Sequence, residues 1–156
     1  MAAVALCMPA AWWLAQRMGS RIVTASPPTE GISHTLASER AANISSVRYA
    51  LSLSVPSKKE EPVRGIATVR LVLAGRAPLI FDFAQPSEKV SSIRANGQAV
   101  AIHAEHGHLI VPAESLEAGE NIVEIAFTAG DEALNRHDEF LYSLFVPARA
   151  SQAFPC

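Results

Sequence analysis

An alternation of apolar and polar residues with a period of two constrains the fold of this chain more than any other feature. In the stretch SVRYALSLSV, the side chains of Val47, Tyr49, Leu51, Leu53 and Val55 alternate with small or charged ones. Such alternation is typical of a β-strand with one face buried and the other in solvent. The same pattern returns in RGIATVRLVLAG, in PLIFDFA and in ENIVEIAFT. The chain is therefore predicted to form a series of short strands.

Turn signals separate these strands about every 8–12 residues. Asn96-Gly97 lies between two apolar runs and is the strongest short signal for a hairpin. His106-Gly107 predicts a second tight turn, which places Glu105 opposite His108. We count seven or eight strands, which predicts an all-β fold, an antiparallel sandwich or saddle, and argues against alternating strands and helices.

The segments outside this pattern define the predicted domain organisation. Residues 1–25 form a leader, residues 26–44 a linker, and residues 45–156 the β domain. The stretch GISHTLASERAANIS (31–45) has weak helical spacing and is interpreted as an extended or mixed segment. Only DEALNRHDEF (131–140) has helical character, and it is short.

The leader has the features of a signal peptide. Ala2–Ala15 carries no charge, is shorter than the ~20 residues that span a bilayer, and matches the apolar part of a signal sequence. Val23-Thr24-Ala25 resembles a small-residue cleavage site. Arg17 and Arg21 follow the apolar run, whereas the basic residues of a signal peptide normally precede it. We predict an exported or periplasmic protein without a stable membrane span. The alternative is a cytoplasmic protein with an irregular N-terminal extension.

Charge and cysteine content exclude several classes of protein. The net charge is −2 and no long block of one sign occurs, so no nucleic-acid partner is expected. The two cysteines, Cys7 and Cys156, lie at opposite ends of the chain and outside any CxxC motif. Neither a disulfide framework nor a zinc knuckle is therefore expected.

No catalytic signature is present in the sequence. The motifs G-x-S-x-G, G-x-G-x-x-G, the P-loop and H-E-x-x-H are all absent. One weak metal-binding candidate remains, because the predicted hairpin puts His103, Glu105 and His108 on one face, and two imidazoles with a carboxylate could hold a metal. We favour the alternative, a solvated hairpin face, since nothing in the sequence supplies supporting groups around such a site.

The last residues, FLYSLFVPARASQAFPC, resemble a stretch of the aminopeptidase N family of zinc metallopeptidases, which includes puromycin-sensitive aminopeptidase and leukotriene A hydrolase. In that family the N-terminal β domain closes with a strand, a proline, an Arg-containing turn and Phe-Pro-Cys. Pro147, Arg149, Phe154, Pro155 and Cys156 fit this pattern and would form the domain junction. Three further stretches resemble other parts of the same domain, so the resemblance spans about residues 38–156. They are SERAANISSVRYALSLSVP, LIFDFAQPSEKVSSIRANGQAV and LEAGENIVEIAF.

The resemblance implies a non-catalytic domain of an enzyme that removes N-terminal residues from peptides. In the family, zinc is held by His-Glu-x-x-His and a distant Glu in the next domain, and a Gly-x-Met-x-Asn strand there binds the amino end of the substrate. None of these motifs lies in this chain, which should be inactive alone and need no cofactor of its own. Zinc and the peptide substrate would belong to the catalytic domain, and this domain would form one wall of its cleft.

Two positions depart from the family pattern. Near the last strand the family keeps polar residues that contact the substrate's α-amino group, and here these positions are Leu144 and Val146. Apolar side chains cannot accept a hydrogen bond from an ammonium group, so recognition of the amine would fall to the catalytic domain. We also expect an exposed apolar face around Leu141–Phe154, where a partner domain would pack. The alternative function is a stand-alone exported β-sandwich module that binds protein or glycan.

Overall fold

The computed structural model describes residues 26–156, and the predicted leader lies outside them. Eight strands and two helices follow in the order α1 (His34–Asn43), β1 (Ile44–Ser54), β2 (Arg64–Leu73), β3 (Leu79–Asp82), β4 (Val90–Ala95), β5 (Gln98–Val100), β6 (Ala104–Glu105), β7 (His108–Val111), β8 (Gly119–Thr128) and α2 (Pro147–Ala153). The strands form two antiparallel sheets, one of five strands in the order β1-β2-β8-β4-β5 and one of three in the order β3-β7-β6. The predicted all-β, antiparallel architecture is confirmed.

The core lies between the two sheets and is built from the alternating residues. On β2 and β8 the side chains pointing toward the smaller sheet are buried, and those on the other face are half-buried or exposed. The smaller sheet contributes Leu79 and Phe81, and the Phe83 ring just beyond it meets the Phe127 ring edge-to-face at 5.7 Å. The inward side chains of the two long strands are Ala67, Val69, Leu71, Leu73, Val123, Ile125 and Phe127.

Both predicted tight turns are present. Asn96 and Gly97 join β4 to β5 with φ of 50° and 83°, and His106 and Gly107 join β6 to β7 with φ of 49° and 80°. Two successive left-handed residues match the twist of a two-residue hairpin, which explains why each turn ends on glycine. Glu105 pairs with His108 as the sequence predicted.

The segment before β1 differs from its predicted extended or mixed conformation. His34–Asn43 forms a helix of 10 residues, α1, which is nearly three turns. Ser33 caps it, because its hydroxyl oxygen accepts a hydrogen bond from the backbone N–H of Leu36 at 3.1 Å. Leu36 is buried beneath the helix, and this packing, the Ser33 cap and the contact of Arg40 with Asp82 together fix a segment whose helical spacing is weak.

The helical character predicted for residues 131–140 is wrong. This segment contains a short turn and an isolated bridge between Arg136 and Leu141. The Arg136 guanidinium is buried, where it donates to the carbonyl oxygens of Lys59 and Glu61 at 2.7 and 2.9 Å. These contacts to a distant loop hold the chain away from the helical path, and Asn135 has a left-handed φ of 39°. Among the described residues, neither helix is long and apolar enough to cross a bilayer.

Candidate functional site

The most prominent surface feature is an ordered apolar segment, residues 140–146, that leads into α2. Five of its large side chains are exposed to solvent. The apolar face expected around Leu141–Phe154 is thus present only in part, because Leu144 and Phe154 are half-buried and Ala153 is buried. Contiguous exposed apolar surface of this kind marks interaction sites in soluble proteins. The exposed fractions are 59% for Phe140, 46% for Leu141, 58% for Tyr142, 41% for Phe145 and 44% for Val146.

Hydrogen bonds and ring contacts hold the apolar segment in place. The N–H of Leu144 donates to the carbonyl of Ala133 at 2.9 Å, and the carbonyl of Phe140 accepts from His137 N–H at 2.9 Å. The His137 and Phe140 rings stack with centroids 4.4 Å apart. The backbone is therefore positioned while the apolar side chains point outward, which favours a preformed binding surface.

Leu144 and Val146, the two positions where the family pattern expects polar groups, lie within the apolar segment. Leu144 is half-buried, and Val146 is exposed as the residue before α2. Both side chains offer only hydrocarbon, so they can pack against a partner but cannot bind an ammonium group.

The predicted junction residues lie in helix α2 and in the three residues that follow it. Pro147–Ala153 forms α2, with proline in its first turn, where its missing N–H costs nothing. Arg149 is exposed and its Nη1 lies 3.5 Å from the carbonyl oxygen of Glu132. The Phe154 ring packs edge-to-face on the Phe145 ring at 5.3 Å, and Pro155 is buried.

Cys156 pairs with β3 as an additional edge residue. Its N–H donates to the Asp82 carbonyl at 3.0 Å, and its carbonyl accepts from the Asp82 N–H at 2.6 Å. Two reciprocal bonds between one pair of residues are the pattern of an antiparallel ladder. The C-terminal residues are thus joined to the body of the domain by sheet pairing.

The Asp82 side chain is the centre of a partly buried hydrogen-bond network. Its two oxygens accept from Arg40 Nη1 at 2.9 Å and Nη2 at 2.6 Å, a bidentate geometry. The Nδ1 atom of His108 lies 2.9 Å from Asp82 Oδ1. Its Nε2 atom lies 3.1 Å from the carbonyl oxygens of both Thr29 and Gly31. Each ring nitrogen of His108 therefore has an oxygen atom within hydrogen-bond distance.

This network joins four parts of the chain. Arg40 belongs to α1, Asp82 to β3 and His108 to β7, while Thr29 and Gly31 belong to the N-terminal arm, which we define as residues 26–33. The arrangement therefore has a structural function, which is to hold the arm and α1 on the outer face of the smaller sheet.

The structure does not bring the three candidate metal ligands together. His103 and Glu105 are exposed, with 3.9 Å between Nε2 and Oε2, and His106 Nε2 lies 3.4 Å from the other Glu105 oxygen. His108 shares their face by register, but it is 2% exposed and both of its nitrogens have partners. Within residues 26–156, no three His, Cys, Asp or Glu side chains are placed to hold a metal.

The solvated-face interpretation of this hairpin fits His103 and Glu105 and is wrong for His108. The N-terminal arm covers His108, and a hairpin pattern carries no information about which distant segment lies over it. The opposing Asp82 was the available signal, since a carboxylate on an adjacent strand is a natural partner for a buried histidine.

A groove of about 320 Å³ lies between β1 and β3, and two weakly acidic groups line it, Tyr49 and Cys156. Tyr49 is 42% exposed, and the partial burial of its side chain raises its pKa to about 12, with a further contribution from the Cys156 thiol. Burial also raises the pKa of Cys156 to about 11, with a further contribution from Asp82. The Cys156 thiol is therefore protonated at neutral pH and poorly nucleophilic.

Comparison with known proteins leaves the family open. No family model matches the sequence, and no curated protein matches it either.

Proposed function

We propose that this chain is the non-catalytic N-terminal β domain of a zinc aminopeptidase, a metallopeptidase that removes N-terminal residues from peptides. In this proposal it packs on a catalytic domain and forms one wall of that domain's cleft. The observation that carries the proposal is the apolar segment 140–146, which is ordered and exposed.

The position of the apolar segment supports a role at a domain boundary. Phe145 contacts Phe154, so the exposed surface and the Phe-Pro-Cys residues are neighbours. A domain that continued from Cys156 would begin beside the exposed apolar segment and could pack against it. Large aromatic side chains such as Phe140 and Tyr142 are also the residue types most enriched at the buried centre of protein interfaces.

The side chains of this chain decide which functions the proposal assigns to it and which to the catalytic domain. Activation of water by zinc requires about three protein ligands and an open position, which the proposal assigns to the catalytic domain together with substrate binding. Leu144 and Val146 would contribute apolar packing at the cleft wall, and the substrate amine would be bound by polar groups of the catalytic domain.

The reading frame beyond codon 156 tests the proposal directly. We expect it to encode an aromatic residue, Asp and Pro, and then His-Glu-x-x-His farther on. A stop codon followed by an unrelated gene would contradict the proposal and favour the stand-alone binding module.

A binding experiment tests the assigned surface. The chain and the separately produced catalytic domain should associate, and replacing Phe140 and Tyr142 together by Ser should raise the Kd by about tenfold or more, because interface aromatics carry a large share of binding energy. Ile66→Ser is the matched control, since Ile66 is a similarly exposed apolar residue on β2. Equal Kd values for all three proteins by calorimetry would rule out the apolar segment as the docking surface.

A further inference from the structure

Ser26 is held by a carboxylate of helix α1. Its backbone nitrogen lies 3.3 Å from Glu39 Oε2, and its hydroxyl donates to Glu39 Oε1 at 3.0 Å. Both oxygens of one side chain are thus directed at the nitrogen and hydroxyl of a single residue.

The remainder of the N-terminal arm fixes where Ser26 lies. Pro28 is buried, the carbonyls of Thr29 and Gly31 accept from His108, and Ser33 caps α1. These contacts anchor the arm along its length. The Ser26 nitrogen is therefore brought to Glu39 by packing that does not depend on Glu39 itself.

The sequence before Ser26 fits cleavage by a signal peptidase. Val23 and Ala25 are small residues at the third and first positions before the bond, and they follow the uncharged run Ala2–Ala15. Hydrolysis of the Ala25–Ser26 bond would give Ser26 a free α-amino group.

We propose that the chain is processed between Ala25 and Ser26 and that Glu39 binds the new amino terminus as an ion pair. In the hydrolysis a water molecule adds its hydroxyl to the carbonyl carbon of Ala25, the C–N bond breaks, and the proton passes to the Ser26 nitrogen. An exporting host supplies the peptidase. At neutral pH most of the α-amino group takes up a further proton and becomes an ammonium.

Processing strengthens the contact without moving the arm. Before cleavage the Ser26 nitrogen has one hydrogen and no charge, whereas the ammonium has three hydrogens and a positive charge facing Glu39. Hydrogen bonds between two charged groups are roughly twice as strong as neutral ones. The inference concerns maturation of the chain and is independent of its role beside a catalytic domain.

The first experiment locates the cleavage. The full chain is expressed in an exporting bacterial host, and the mass and N-terminal sequence of the product are measured. We expect a chain that begins Ser-Pro-Pro-Thr-Glu. A product that keeps the leader, or one cut at any other bond, overturns the proposal.

The second experiment tests the ion pair in the processed protein. An amine-reactive ester near neutral pH modifies the Ser26 amine, and peptide mass spectrometry follows its rate. We expect Glu39→Gln to react about two- to fivefold faster than the natural sequence, the range of an exposed ion pair. Glu30→Gln, which removes an exposed carboxylate from the same arm, should leave the rate unchanged. Equal rates for the natural sequence and Glu39→Gln refute the role of Glu39.

Discussion

The carboxylate of Asp82 accepts hydrogen bonds from residues that are far away in the sequence. Arg40 lies 42 positions before it, His108 lies 26 positions after it, and its backbone pairs with Cys156, 74 positions later. The alternation in PLIFDFA correctly places Asp82 opposite Phe81 and Phe83, but a local pattern cannot identify distant partners. They depend on how β3 and β7 pair and on what covers them.

Removing the Asp82 carboxylate should destabilise the domain strongly. Asp82→Ala removes the carboxylate partner of the Arg40 guanidinium and of the buried His108 ring and leaves both with backbone carbonyl partners only, so we expect the free energy of unfolding to fall by about 3 kcal/mol. Glu105→Ala is the matched control, because Glu105 also lies near histidines but is exposed, and its loss should cost under about 1 kcal/mol. Urea denaturation measures both, and similar losses would show that the Asp82 contacts add little.

Alkaline pH should destabilise the domain through Tyr49 and Cys156. Their ordinary pKa values of 10.0 and 9.0 are raised to about 12 and about 11 in the folded chain. The folded state therefore keeps protons that the unfolded state has released, and the free energy of unfolding falls as pH rises above 9.0.

The measurement compares urea unfolding at about pH 8 and about pH 10.5, a range in which the unfolded groups ionise first. The free energy of unfolding should fall less between these two pH values in Cys156→Ser and in Tyr49→Phe, because neither Ser nor Phe ionises in this range. A decline of the same steepness in both variants would assign the effect to other groups.

At the scale of elements, predictability follows from where the stabilising contacts lie. The long strands β2 and β8 follow directly from alternation, because half of their side chains face one core. The hairpin at Asn96-Gly97 follows from a two-residue rule. In contrast, α1 depends on the Ser33 cap and on Leu36 packing beneath it, and residues 131–140 depend on the burial of Arg136 against a distant loop. Tertiary contacts outweigh local propensity in both cases.

The pairing of β2 with β8 includes a glycine that packs directly against an aromatic ring. Gly65 pairs with Phe127, and a Cβ on Gly65 would overlap the Phe127 ring. Gly65→Ala should therefore lower the free energy of unfolding by about 1–3 kcal/mol, the usual cost of overpacking a core. Thr68→Ala, on the opposite face of the same strand, should change it by less than about 0.5 kcal/mol. Chemical denaturation compares the two, and a neutral Gly65→Ala would mean that the Phe127 ring shifts without cost.

At the scale of the whole molecule, the core is complete between the two sheets while one ordered apolar surface stays exposed. The expectation of exposed apolar residues near the C-terminal end came from the resemblance to a multidomain family, and the exposure of residues 140–146 agrees with it. Periodicity alone could not identify this surface, because FLYSLF contains five apolar or aromatic residues that would be equally consistent with a buried strand. A buried strand would be covered by another element, whereas no described element lies over these side chains.

Polar substitution in the apolar segment should change the surface of the molecule and leave its stability intact. Phe140 and Tyr142 are more than half exposed, so replacing both by Ser should alter the free energy of unfolding by less than about 1 kcal/mol. The natural chain should bind a hydrophobic dye and self-associate as its concentration rises, and the double variant should do both less, because the exposed apolar area is smaller. Dye fluorescence and sedimentation velocity measure the two effects.

Leu134→Ser is the contrasting variant, since replacing that buried side chain should lower the free energy of unfolding by several kcal/mol. If the double variant loses as much free energy of unfolding as Leu134→Ser, residues 140–146 belong to the core of the domain and do not form an interaction surface.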